Sequence, residues 1–440
     1  MPHSTRGKVS KERGNRHMAD YLAMDKAALE AERAALRAAY EKYAARGLKL
    51  DMSRGKPSAE QLDLSMELLY MTDYHGEGGT DARNYGSLEG MPEARRFFAE
   101  MLQVQPQEVI VGGNSSLQMM YDQVALGWRK GFPGGHGPWG KEAAPKFICP
   151  VPGYDRHFRV TEEFGFEMLN VPMGPQGPDM DMVERLAADS AVKGIWCVPL
   201  YSNPDGYTYS DETVRRLARM KAAAPDFRIF WDNAYCVHHL TDSHDAVLNI
   251  LDECRAAGNE NRPLLFCSLS KVTFPGASVA AMAASEENIA HIVKNMFPMI
   301  ISYDKMNQLR HVRFLKDMQG VAAHMEKHRA IVAPKFEAVW QAFREGLAPY
   351  GDIARWTTPN GGYFISLYTL EGCAKRTVQL CKEAGVVLTG AGAAFPYGRD
   401  EQDSNIRIAP TYPTLTELRL ACELLCIAVR LASVEKLLGA

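Results

Sequence analysis

Three things are missing from this 440-residue chain. No apolar run approaches the ~20 residues that a bilayer-spanning helix requires, so no membrane partner is expected. No Cys-x-x-Cys pair occurs among the nine cysteines, which removes the usual zinc and dithiol spacings. An odd number of scattered thiols, with Cys149, Cys197 and Cys267 inside apolar runs, reads as reduced, inert cysteine in a cytoplasmic protein. No sign of charge dominates either: 50 Lys and Arg stand against 53 Asp and Glu, a net charge of -3. Such a balance offers nucleic acid no long-range attraction. Residues 1–18 carry five basic side chains but no apolar stretch, so they read as a disordered tail rather than a secretory leader.

What remains is an ordinary globular composition, 46% hydrophobic and 23% charged, with enough length for two domains. The 25–47 segment has the spacing of an amphipathic helix closed by Gly47. After the irregular Asp51-Met52-Ser53-Arg54-Gly55-Lys56-Pro57, apolar strands and helical stretches alternate for some two hundred residues. Strands are predicted at 109–111, 147–150, 194–200, 227–231, 264–269 and 278–283. A helix is predicted over 211–224. Several of these strands are continuous apolar runs, as in a sheet covered on both faces by helices. The fold class is therefore α/β with a mainly parallel sheet. From residue 303 a long helical stretch leads to a smaller α+β C-terminal domain holding a strand at 405–408 and a final helix from Thr414. We expect residues 19–55 to form an N-terminal helix and arm joining the small domain. Residues 56–310 then form the large domain, and 311–440 the linking helix and small domain. The Gly-rich 131–138 piece reads as a surface loop.

Ligands of an open α/β sheet bind outside the carboxyl ends of its strands. Three chemically distinct residues fall there. Lys271 follows the strand Leu264-Leu265-Phe266-Cys267 through Ser268-Leu269-Ser270. A lysine delivered there is desolvated, its pKa falls, and a neutral amine can attack an aldehyde to form a Schiff base. Asp232 ends the run Arg228-Ile229-Phe230-Trp231, where a buried carboxylate can keep a pyridine nitrogen protonated. Asn203, in Ser202-Asn203-Pro204-Asp205-Gly206, can donate to a phenolate oxygen, as can Tyr235. Each residue also has a plain reading: a strand-end cap for Asp232, a turn former for Asn203. Their convergence on one rim points to pyridoxal 5'-phosphate. The strand–glycine–helix junction Val111-Gly112-Gly113-Asn114-Ser115-Ser116 suits its phosphate, because a helix N-terminus offers oriented N–H groups. Ser268 adds a hydroxyl, and Tyr154 can stack on the ring. Arg407, between Ile406 and Ile408, points off one strand face and can clamp a carboxylate with two parallel hydrogen bonds.

With these residues in view, the chain resembles the fold-type I, class I aminotransferases from about residue 25 onward. It is most similar to the aspartate aminotransferase subgroup carrying Ser53-Arg54-Gly55-Lys56-Pro57 and Ser268-Leu269-Ser270-Lys271-Val272-Thr273. The resemblance implies a seven-stranded-type sheet in the large domain and a catalytic set of Lys271, Asp232 and Tyr235. It implies cofactor contacts from Asn114, Ser115, Ser116, Tyr154, Asn203, Ser268 and Ser278, and substrate contacts from Gly55, Asn203 and Arg407. Tyr85, in Asn84-Tyr85-Gly86-Ser87, would reach the cofactor of a neighbouring subunit, which implies a homodimer with shared sites. The implied partners are an amino acid and a 2-oxo acid, with no metal, nucleic acid or membrane.

Two departures stand out. The family commonly places a phosphate-binding arginine where this chain has Val279, leaving Ser278 and Thr273 as hydroxyl substitutes without charge. A dicarboxylic substrate also needs a second cation, for which Arg54, Lys56 and Arg156 are candidates. Other reactions fit the same scaffold: β-elimination, β-decarboxylation, or effector binding without catalysis.

Overall fold

The computed structural model describes residues 20–439; the expected tail at 1–18 lies outside them. Thirteen strands follow in chain order: β1 (Leu50–Met52), β2 (Val109–Val111), β3 (Lys146–Val151), β4 (Glu167–Gly174), β5 (Gly177–Pro178), β6 (Val192–Cys197), β7 (Arg228–Asp232), β8 (Pro263–Ser268), β9 (Ala280–Ala283), β10 (Ala354–Trp356), β11 (Ile365–Thr369), β12 (Val386–Leu388) and β13 (Asn405–Ile408). The large sheet has the order β2-β9-β8-β7-β6-β3-β4-β5. Pairings from β8 through β7, β6 and β3 to β4 are parallel, while β9 runs antiparallel to both neighbours. The six strands placed from sequence are present, β4 makes the seventh that the resemblance implied, and two-residue β5 folds back on the end of β4 as an eighth.

Burial explains which strands were predictable. Every residue of β6, β7 and β9 is buried, as a sheet covered on both faces requires. β4 was not predicted. It lies toward the sheet edge, alternates buried and open positions, and tolerates Pro172 because only its last residues pair with β5. The helix expected over 211–224 stops at Arg219. Its last carbonyls are met by tertiary donors instead: Asn259 Nδ2 on Ala218 O at 2.8 Å and Arg262 Nη1 on Met220 O at 2.6 Å.

A second, antiparallel sheet β10-β11-β13 and the helices Ala374–Glu383 and Leu415–Leu437 form the smaller C-terminal unit. The helix Lys26–Ala44 packs into the same core through Leu29 and Leu36. The expected stretch from 303 to 347 is two helices, Lys305–Leu315 and Met318–Gly346. The second bridges the cores: Val321 is buried against the large sheet's side, Val332, Phe336 and Val339 in the small one. Among the described residues no helix is long and apolar enough to cross a membrane.

Two features of this architecture place the site. The strand order sets β8, β7, β6 and β3 side by side and parallel, so the segments that leave their carboxyl ends emerge on one rim. In addition, β1 pairs in parallel with β12, Met52 opposite Leu388, so the arm after β1 and the loop after β12 leave together. Thr389 Oγ1 donates to Ser53 O at 2.6 Å and ties the two exits. The Gly-rich 131–138 loop lies elsewhere. Arg228, which opens β7, donates to Pro133 O at 3.1 Å, and His291 contacts Gly131 O at 3.0 Å.

Candidate active site

A cleft of about 560 Å³ opens on that rim, bordered by the arm Ser53-Arg54-Gly55 on one side and Phe364 and Arg407 on another. Of the predicted residues, Gly55, Ser115, Ser116, Tyr154, Asn203, Asp232, Tyr235, Ser268, Lys271 and Arg407 line it. Asn114 does not; it is exposed and its amide donates to Gly276 O at 3.3 Å. Ser278 is buried behind the wall, 3.5 Å from Ser268 Oγ. Thr273 is turned away, bonded to Leu269 O and His311 Nε2. Tyr85 does not line the cleft and stands on the surface, 78% exposed.

Asp232, the last residue of β7, is buried with its two oxygens in different situations. Oδ2 lies 3.1 Å from His157 Nε2, while Oδ1 has no partner. His157 is held flat on Trp196, ring centroids 4.4 Å apart, so the carboxylate cannot easily swing. An orphaned buried carboxylate oxygen is costly unless a ligand N–H completes it. His157 was missed in the sequence. The signal was faint: it lies one turn into the helix that follows the predicted Tyr154, facing the sheet.

Lys271 is half-buried, with its open surface toward the cleft. Its Nζ lies 5.0 Å from the centre of the Tyr235 ring and 5.7 Å from that of Tyr363. Desolvation pulls its pKa below the ordinary lysine value, and the Asp232 carboxylate partly opposes this. Burial also pushes the Tyr154 phenol up to about 12 and raises Tyr235 well above its usual value, so both remain protonated donors at neutral pH.

Arg407 projects from β13 across the interface between the two sheets. Its Nη1 donates to Asp155 Oδ1 at 2.8 Å and to Asn203 Oδ1 at 3.3 Å, and its Nε has no partner. The guanidinium lies 4.9 Å from the centre of the Phe364 ring. Asn203 thus spends its carbonyl oxygen on Arg407, which leaves its amide hydrogens for a ligand. Asp155, 252 residues from Arg407, could not be paired with it from sequence.

At the other end of the cleft, Ser115 caps the helix Ser116–Lys130 by accepting from Gln118 N. Ser268 and Ser270 face each other, Oγ to Oγ 2.6 Å, and Ser270 also reaches Asn114 O at 3.4 Å. Ser270, within the lysine motif yet unassigned beforehand, therefore joins a cluster of hydroxyls beside a helix N-terminus. These residues fit pyridoxal 5'-phosphate: a desolvated amine, an unsatisfied carboxylate for the ring nitrogen, and hydroxyls with a helix N-terminus for an anion. Among the described residues lining the cleft, the basic side chains are Arg54, Arg156, Lys271 and Arg407. Lys56 is not one of them; its Nζ sits 3.7 Å over the Tyr412 ring.

Comparison with known proteins gives the family. An aspartate aminotransferase of Corynebacterium glutamicum is 46% identical over 399 residues, 90% of this chain and 92% of its own. A Mycolicibacterium smegmatis relative, named only as an aminotransferase, is 50% identical over 406 residues, covering 91% and 95%. The crystal structure of an aspartate transaminase from Corynebacterium glutamicum superposes with a TM-score of 0.93 at 43% identity, covering 95% of this chain and 99% of that one. The family model for aspartate amino-transferase matches residues 24–440. The chain belongs to the aspartate aminotransferase family.

Proposed function

We propose that this protein is a pyridoxal-phosphate-dependent aminotransferase that moves the amino group of a dicarboxylic amino acid, aspartate or glutamate, to a 2-oxo acid. The single observation that supports it most is the pairing, in one cleft, of a desolvated Lys271 with an Asp232 oxygen that lacks a partner. Bound there, pyridoxal phosphate supplies an electron sink for the charge left when a Cα proton departs. Lys271 Nζ, its pKa lowered by desolvation, takes and returns that proton as general base and acid. Asp232 Oδ1 holds positive charge beside the ring nitrogen, with His157 fixing the other oxygen. Tyr235 and Asn203 donate to the ring oxygen, and Tyr154 covers a ring face. Ser115, Ser116, Ser268 and Ser270 take the phosphate without an arginine at Val279.

Arg407 is assigned to the substrate α-carboxylate. Its unpaired Nε is available, and Asp155 would hold the fork in register. Arg54 and Arg156 line the cleft and have no ion-pair partner among the described residues, so they are the cations proposed for a side-chain carboxylate. That preference favours a dicarboxylic substrate. The two cores support a division into 56–310 as the cofactor domain and 19–55 with 311–440 as the smaller one, although Leu315 and Val321 pack in the large core and Leu240 in the small one. Nine unpaired cysteines support a cytoplasmic protein, and the exposed Tyr85 supports a homodimer with shared sites.

Incubation with L-aspartate and 2-oxoglutarate tests the reading. Glutamate and oxaloacetate are the expected products. Alanine or pyruvate, formed without glutamate, would replace transfer with β-decarboxylation or β-elimination.

A further inference from the structure

Lys271 lies beyond the end of β8, where the sheet no longer orders the backbone. Only a tight turn, with Val272 N and Thr273 N both on Leu269 O, holds this stretch from within. The carbonyls of Lys271 and Val272 are met instead by side chains from two distant segments, the helix Met318–Gly346 and the stretch before β11. Tyr363 OH donates to Lys271 O at 3.4 Å. His324 Nε2 contacts Val272 O at 2.8 Å, with His328 Nε2 3.2 Å from it and also turned toward Val272 O.

Gln61 joins these donors. It is fully buried, 0% exposed. Its Oε1 accepts from Ser58 N at 3.1 Å, which fixes the amide's orientation. Its Nε2 then donates to Tyr363 OH at 3.0 Å and to His328 Nδ1 at 3.1 Å. His328 accepts at Nδ1, so its own proton sits on Nε2 and is directed, like that of His324 Nε2, at Val272 O. The two lone pairs of that oxygen can take both; the two Nε2 atoms are neighbours and not partners. Tyr363 accepts from Gln61 and donates to Lys271 O. Burial keeps His328 neutral by pulling its pKa to about 4, and a second proton on Nδ1 would oppose the Gln61 amide. Gln61 and Tyr363 border a residual void of about 10 Å³, too small for a ligand, and neither lines the cleft. Their connections nevertheless reach it twice. Gln61 follows the arm Ser53-Arg54-Gly55 by a few residues, and Tyr363 precedes Phe364, which packs against Arg407.

We propose that Gln61 and Tyr363 are positioning residues for Lys271, a buried hydrogen-bond chain that locks the lysine's backbone to the two substrate-facing walls of the cleft. The proposal rests on Lys271 being the proton-moving amine of the aminotransferase reading. A fully satisfied buried network of this kind has one arrangement, so it fixes where the amine sits relative to the substrate Cα. Small displacements of a reacting group are expensive in rate rather than in binding.

The test uses the full-length, cofactor-loaded enzyme and the variants Tyr363→Phe, which deletes one hydroxyl, Gln61→Leu, and the double variant. Steady-state kinetics with aspartate are read beside the pH midpoint of the visible cofactor absorption without substrate. Each single variant should lower kcat about tenfold, leave KM within about twofold, and move the midpoint by about half a unit. The double variant should match the single ones, because both break one chain. A folded Tyr363→Phe enzyme with unchanged kcat and midpoint overturns the proposal, as do additive effects in the double variant. If Gln61→Leu does not fold, Tyr363→Phe decides alone. Wild-type protein with neither visible band nor transfer would sink the functional reading, and this proposal with it. A normal wild type beside indifferent variants sinks the proposal only.

Discussion

At the scale of single residues, the site works through groups that are incomplete by themselves. Lys271 lacks the hydration that favours its charged form, Asp232 Oδ1 lacks a donor, and Arg407 Nε lacks an acceptor. Replacing Lys271 with alanine should reduce kcat by about 10²–10⁴-fold, the usual worth of a positioned acid–base group, with the fold retained by circular dichroism. Because its pKa is depressed, the amine stays neutral to lower pH than an ordinary lysine. The acid limb of the kcat profile, which reports the substrate complex in which the amine is free, should therefore fall below pH 10, and a limb at the free-lysine value would contradict the assignment. Gly55 makes a different kind of contribution. A Cβ there would collide with the Phe364 ring, which packs beside Arg407. Gly55→Ala should thus raise KM for the amino acid about tenfold while leaving kcat nearly intact, the signature of lost ground-state binding.

At the scale of elements, local chemistry and tertiary contact share the work unequally. The final helix Leu415–Leu437 begins as the sequence dictates: Thr414 accepts from Glu417 N, and Glu417 reaches back to Thr414. Thr414→Ala should cost about 1 kcal/mol, read as a lower denaturant midpoint with unaltered kinetics. Other boundaries were invisible. The helix from Asp211 ends where Asn259 and Arg262 capture its carbonyls, and those donors lie some forty residues downstream. The strand β4 was hidden by Asn170 and Pro172, tolerable only toward a sheet edge whose identity depends on the whole strand order.

At the scale of the whole molecule, buried imidazoles make stability depend on pH. Burial pulls His238 down to about 3 and His328 to about 4, against about 6.5 for histidine in an unfolded chain. Between those values the unfolded state binds more protons than the folded one, so stability rises with pH across this window and is lost as pH falls from about 6.5 toward 4. Melting temperature should drop steadily from pH 7 to pH 5, and a flat profile would show that these rings are hydrated. Replacing His328 by glutamine should flatten part of the slope.

The sequence by itself determined the α/β class, the helix starts, the core strands and most of the cleft's cast, because each is written in local periodicity or at a strand's end. Lys271, Asp232, Asn203 and Arg407 could be singled out for that reason. Only the tertiary structure decided which groups complete them: His157 on Asp232, Asp155 on Arg407, Ser270 beside Ser268, and Gln61 with Tyr363 behind the lysine. It likewise turned Asn114, Thr273 and Lys56 away from the cleft. The reason is physical: a residue's place along the chain sets the rim it reaches, whereas its hydrogen-bond partner is set by which distant segment packs against it.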